Sequence, residues 1–199
     1  MRKGELTKER IIKQASELLN QKGYYSVSLS EIMAVTGLQK GGIYNHFGSK
    51  EELALQVFEY NVGALSRLFS EVLRTKKHAI ERIIGFAHVT KDLLNGVPFA
   101  GGCAIMNAAI EADDALPYLR EQAAAALQRM HRMMERTLQE GIEKGQLKAD
   151  IDPASVATVV IAAMEGALMM SRLLGDQSAV DQTLEFLKRY LESEVKAGS

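Results

Sequence analysis

One cysteine, three prolines and no tryptophan occur in the 199 residues of this chain. A lone cysteine excludes an intrachain disulfide framework or a multi-cysteine zinc module and points to a reducing compartment. With so little proline and few β-branched runs, nothing alternates with period two for long, so an almost wholly helical protein is expected. The opening MRKGELTKER carries no apolar stretch behind its basic residues, unlike a secretory leader, which makes the cytoplasm the expected location. The longest apolar run, 154–164, is interrupted by Glu165 and falls short of the roughly 18 to 20 residues of a membrane span, so no membrane contact is expected. Net charge is scarce too: 24 Lys and Arg stand against 25 Asp and Glu, a formal −1. Near-neutrality argues against a protein coated with positive charge for nucleic acid, but says nothing of how the charge is distributed.

Catalytic motifs are missing as well. No HExxH, GxSxG or GxGxxG occurs, and the phosphate-loop glycine spacing of 37–42 is followed by Ile43-Tyr44 where Lys and Ser or Thr are required. None of His46, His78, His88 and His131 has a Glu three residues earlier, as helical-bundle metal sites often do. No catalytic residue, metal site or cofactor is therefore expected, and the chain reads as something other than an enzyme.

What is present is helical spacing in a chain 47% hydrophobic and 25% charged, enough to bury a core. A first helix runs from about Leu6 to Lys22, with Ile11, Ile12, Ala15, Leu18 and Leu19 in one stripe and Gly23 at its end. Ser28 or Ser30 caps a short second helix stopped by Gly37, and 39–47 forms a short third. Ser49 with Glu52 reads as a capping box opening a long fourth helix towards Leu73. Further helices follow over 80–94 and 103–112, from Pro117 to Gly145, from Pro153 to Leu174, and through Val180 to Val195. The expected architecture is all-α with about nine helices: a helix-turn-helix domain over 1–50 and a larger helical domain over 51–199. The helix at 153–174 is apolar nearly all round and must be covered on most sides. With the last helix it predicts a homodimer interface, the other reading being the central core helix of a monomer.

The unit from Ser28 to Phe47 has helix-turn-helix spacing, in which a tight turn frees the second helix to enter a major groove. Ile32, Val35, Leu38 and Ile43 face inward in this reading, leaving Gln39, Lys40, Asn45 and His46 exposed. Charge is segregated to match. Residues 1–50 hold eight Lys and Arg against four Asp and Glu, a net +4, and the remaining 16 basic and 21 acidic residues give −5. A confined positive head supplies salt-dependent phosphate affinity without making the whole protein basic.

The run SLSEIMAVTGLQKGGIYNHFGSKEEL from Ser28 to Leu53 resembles the DNA-binding signature of the TetR/AcrR family of transcriptional regulators, and with the preceding helix the likeness covers residues 6 to about 60. The resemblance implies that Tyr44, His46 and Lys50 contact DNA phosphates, that Gln39, Lys40 and Gly42 lie where the recognition helix approaches the groove, and that Ser28 meets a phosphate at a helix start. Gln39 departs from the Ser or Thr frequent there, and Gly42 from Thr, Ser or Ala. Gln39 suits adenine N6/N7, while Gly42 offers backbone or close approach to a base methyl. The resemblance further implies a C-terminal domain that binds a small-molecule effector and shifts the spacing of two DNA-reading heads, so the expected function is a repressor released from double-stranded operator DNA. A helical ligand-binding or metal-binding bundle, with residues 1–50 as an interaction module only, is the other class.

For the effector the sequence offers Phe86, Phe99, Met106, Met130, Met134 and Met164 as adaptable apolar lining, though methionine at helical spacing is also ordinary core. Asn107 and Glu111, one turn apart, are polar candidates or a surface pair. Cys103 follows Gly101-Gly102 at a helix start, where the dipole lowers a thiol pKa; the alternative is a small apolar residue under the loop.

Overall fold

The computed structural model describes residues 3–112 and 116–198. Among the described residues there are nine α-helices and no strand: α1 (Lys3–Lys22), α2 (Leu29–Thr36), α3 (Lys40–Tyr44), α4 (Lys50–Thr75), α5 (Ala79–Leu94), α6 (Ala104–Ala112), α7 (Pro117–Glu143), α8 (Pro153–Leu174) and α9 (Ser178–Tyr190). The all-α expectation holds in order and number. Helix starts follow local chemistry: Ser49 accepts from the Glu52 N–H, Asp152 from the Ala154 N–H, and Pro117 and Pro153 occupy first-turn positions where no donor is needed. The Ser49 box is open on one side, because Glu52 turns to the Gly48 N–H at 2.7 Å and to Gln56 at 2.8 Å.

Two boundaries differ from expectation. The third helix spans five residues, not nine, because the Asn45, His46 and Phe47 amides close back on Gly41 and Ile43 in a terminal turn. The last helix ends at Tyr190 and widens into a π-type turn over Leu191–Val195. There the chain lies against 146–148, with Lys148 N–H donating to Val195 C=O and Ala197 N–H to Gln146 C=O.

One contiguous core runs through the molecule, from Ile11, Ile32, Ile43 and Phe47 by way of Val57, Phe58 and Leu65 to Ile83, Met134, Val160 and Leu187. α4 is the shared member: it packs on α1 near its start and on α5, α6 and α7 further along. α8 packs on α5, α7 and α9, yet one side is bare. Val159, Met169, Met170 and Leu173 are exposed, Leu173 by 82%, and Phe186 of α9 is exposed by 59%. Positions 159, 162, 166, 169 and 173 advance by three or four residues, so they form a single stripe. By length and composition α8 is also apolar enough to cross a membrane, with a mean hydropathy of 1.6 over its best window; burial on one side and the stripe on the other account for that apolarity.

Candidate nucleic-acid interface

The helix-turn-helix is built from three local devices. Ser28 and Glu31 form a reciprocal capping box: the Ser28 hydroxyl accepts from the Glu31 N–H at 3.3 Å, and the Glu31 carboxylate accepts from the Ser28 N–H at 2.9 Å. Gly37 then turns the chain with φ 67°, a left-handed value that costs glycine nothing. Ile32, Ile43 and Phe47, all at most 2% exposed, form a clamp that buries the inner side of the pair in the core, with α2 packed on α1.

Glu31 also pairs with Lys22 at 2.7 Å, and that ammonium, with the two Ser28 bonds, holds its carboxyl at about 2, down from an ordinary 4.5. A carboxyl with a lowered folded-state pKa stabilises above its unfolded value, and that contribution is lost as pH falls from about 4.5 through about 2. The difference in unfolding free energy between the natural protein and Glu31→Gln should therefore shrink across this window in urea titrations; a constant difference would show that the carboxylate is not the source.

The face opposite the clamp carries Ser28, Gln39, Lys40, Tyr44 and Asn45, all exposed, with Gly42, His46 and Lys50 half-buried. Gln39 sits at the N-cap of α3 without capping it, so its amide is free of that task. The Lys40 ammonium lies 5.9 Å from the centre of the Tyr44 ring, which keeps charge and phenol together. Two expected phosphate ligands have internal work as well. The Ser28 hydroxyl donates to Glu31 at 2.8 Å, and the Lys50 ammonium donates to the Tyr25 and Val27 carbonyls at 2.6 and 2.9 Å, leaving one of its three N–H groups. Sequence spacing hides these bonds, because Lys50 reaches across 23 and 25 residues.

Behind this face lies a polar seam that sequence reading missed. Ser16 donates to Asn61 Oδ1 at 2.6 Å, Asn61 donates to the Tyr24 hydroxyl at 3.0 Å, and that hydroxyl donates to Asn20 Oδ1 at 3.2 Å. Asn20 continues to the Ala100 and Gly102 carbonyls at 2.9 and 3.1 Å. Asn107 of α6 donates to the Asn20 and Gly101 carbonyls at 2.9 and 2.8 Å. One turn on, Glu111 accepts from the Tyr24, Tyr25 and Ser26 N–H groups at 2.5, 2.9 and 3.1 Å. Gly23 makes room for it: at φ 108°, a Cβ there would stand 2.5 Å from Glu111 Oε1. Glu111 thus binds α6 to the turn between α1 and α2, and Asn107 binds it to the end of α1 and to the loop at Gly101, tasks neither of their expected roles included.

The remaining effector candidates sit mostly in the core. Phe86, Met130, Met134 and Met164 are buried, with Phe86 stacked on Phe69 at 4.3 Å, and Met106 is packed against the core edge. Phe99 borders a cleft of about 370 Å³ shared with α1 and α4, while a groove of about 820 Å³ lies between those helices at the head itself, lined by Leu6, Ile12, Leu55 and Tyr60. Cys103 reverses the dipole expectation. It is 2% exposed, and burial, followed by the charge of the neighbouring Glu165, pushes its thiol well above the ordinary value. Among the described residues no group of three His, Cys, Asp or Glu is placed to hold a metal ion.

A capped helix-turn-helix with a bare polar face, fused to a larger helical body, defines a DNA-binding regulator. Residues 11–57 match the description "Bacterial regulatory proteins, tetR family", and residues 79–187 match "Tetracyclin repressor-like, C-terminal domain". The chain belongs to the TetR family of transcriptional regulators. A TetR transcriptional regulator from Chloroflexus aurantiacus J-10-FL is 39% identical over the whole of both chains, with a TM-score of 0.95. A TetR-family regulator from Cytophaga hutchinsonii is 26% identical over 100% of this chain and 99% of the other, with a TM-score of 0.93. The HTH-type transcriptional repressor DhaR of Mycobacterium sp. (strain GP1) is 24% identical over 89% of this chain and 88% of its own.

Proposed function

We propose that this regulator is a homodimeric, effector-released repressor of double-stranded operator DNA, with residues 1–50 as the reading head and 51–199 as the effector-binding and dimerisation body. The observation that carries the reading is the exposed face of Gln39, Lys40, Tyr44 and Asn45 backed by the buried clamp of Ile32, Ile43 and Phe47. In this reading Lys40, Tyr44, His46 and the last N–H of Lys50 meet phosphates, Ser28 adds a contact at the start of α2, Gln39 reads a base edge, and Gly42 lets the backbone approach. The bare apolar stripe of α8 with Phe186 of α9 supports a two-fold interface, since Gly166 lies within it with open space beside it. Dimerisation sets two heads on successive major grooves, about 34 Å apart, and an effector that prefers another spacing releases them. Repression is the sign that the name of DhaR supports. The protein acts in the cytoplasm, without catalysis, cofactor or membrane.

The test uses an operator selected from random duplexes and measured by fluorescence anisotropy. Affinity should fall steeply with salt, log K against log salt having a slope of several negative units. Lys40→Ala with Tyr44→Ala should weaken binding about a hundredfold and flatten that slope by about 1 to 2, with the dimer mass unchanged. A slope near zero, or an unchanged affinity in the double variant, would assign the first 50 residues to a different interaction.

A further inference from the structure

Four arginines converge at the far end of the body, away from the reading head. Arg129, Arg132 and Arg136 rise along α7 at steps of three and four and so share a face, and Arg82 of α5 closes against them in a cleft of about 280 Å³ with Leu73, Met133, Thr137 and Glu140. Arg82 is the inner member. Its side chain is 18% exposed, one terminal nitrogen meets Glu140 at 2.7 Å, and its Nε is buried with no acceptor. Arg129, Arg132 and Arg136 are exposed and, among the described residues, have no carboxylate within ion-pair distance. Glu140, which also faces Lys144 at 3.9 Å, is thus the one carboxylate lining a cleft of four guanidinium groups, in a protein whose net charge is −1. Guanidinium groups favour carboxylate and phosphate oxygens because their N–H forks match that geometry.

We infer that this cleft binds a compact polyanion, a phosphate ester or a polycarboxylate, whose oxygens occupy the space between Arg82 and the α7 arginines. Four guanidinium groups held around a single carboxylate repel one another, and a bound anion reduces that repulsion while supplying an acceptor to the orphaned Arg82 Nε. The cleft, about 280 Å³, has room for one or two phosphate or carboxylate groups between the guanidinium groups. The inference does not depend on what releases the protein from DNA.

Calorimetric titration of the full-length protein with pyrophosphate, and separately with citrate, tests it at about 0.15 M ionic strength, where weak surface attraction is screened. One saturable site per chain is expected, and the tighter of the two probes identifies phosphate or carboxylate as the source. Arg132→Gln with Arg136→Gln, both exposed in the natural protein, should weaken that binding at least about tenfold. Its melting temperature without anion should stay the same or rise, since two like charges are removed, and its operator affinity should stay unchanged. Absence of saturable binding, or equal binding in the variant, overturns the site. An operator affinity that falls in parallel with pyrophosphate binding overturns it too, by assigning these arginines to DNA.

Discussion

Asn61→Leu is expected to lower the unfolding free energy by about 3 kcal/mol. Asn61 is fully buried on α4, and its amide bonds both the Ser16 hydroxyl and the Tyr24 hydroxyl. Leucine fills the space but leaves Ser16 without its acceptor, and a buried polar group deprived of its partner pays the desolvation cost in full. Tyr24 keeps its bond to Asn20, so the damage centres on the contact between α1 and α4. Adding Ser16→Ala should recover part of the loss, because removing both partners is milder than removing one. Chemical denaturation of the four proteins in the cycle measures this. A single-variant loss under about 1 kcal/mol would mean that water or a neighbouring carbonyl replaces the amide.

Glu111→Ala should separate stability from DNA affinity. The carboxylate accepts from three successive backbone N–H groups and from the Ser26 hydroxyl at 3.2 Å, and these bonds reach the solvent-facing turn at 24–26. Water replaces much of what is lost there, so global stability should fall by only about 1 to 2 kcal/mol. The consequence for order is greater. With Glu111 gone, the Tyr24, Tyr25 and Ser26 N–H groups lose their acceptor, and the turn keeps the Lys50 bonds to the Tyr25 and Val27 carbonyls and the buried Tyr24 hydroxyl. Operator affinity should drop about tenfold, and amide exchange at Tyr24, Tyr25 and Ser26 should speed up, while the oligomeric mass in solution stays unchanged. Glu111→Gln is expected to be nearly as damaging, since its amide turns a donor towards donors and loses the charge that strengthens such bonds. Unchanged exchange at the turn together with unchanged operator affinity would remove Glu111 from any role between body and head.

The sequence made the helices legible because their punctuation is local: Ser28, Gly37, Ser49, Pro117 and Asp152-Pro153 act within a turn or two of themselves. The exposed polar face of α3 was legible for the same reason, once Gly37 placed the turn. The seam was not. Asn61 lies 45 residues from Ser16, and Glu111 lies 87 from Tyr24, so neither pairing leaves a periodic trace. Lys50 and Cys103 show how position on a helix misleads when tertiary packing takes over. A lysine at the start of α4 turns inward to two carbonyls, and a cysteine just before α6 is governed by burial and not by the dipole. Arg129, Arg132 and Arg136 stand at helical spacing on α7, but only Arg82, arriving from α5, makes their face a cleft.

α4 runs unbroken from Lys50, tied to the turn beneath the reading head, to Thr75, two residues past the Leu73 that borders the arginine cleft. Its 26 residues make a rod of about 39 Å at 1.5 Å per residue. Treated as a lever pivoting at its far end, such a rod turns a tilt of about 5° into a displacement of roughly 3 Å at Lys50, close to the rise of one base pair. In the proposed two-headed reading, a change in packing too small to register as a rearrangement of the body is therefore enough to shift a head against its groove by about one rung.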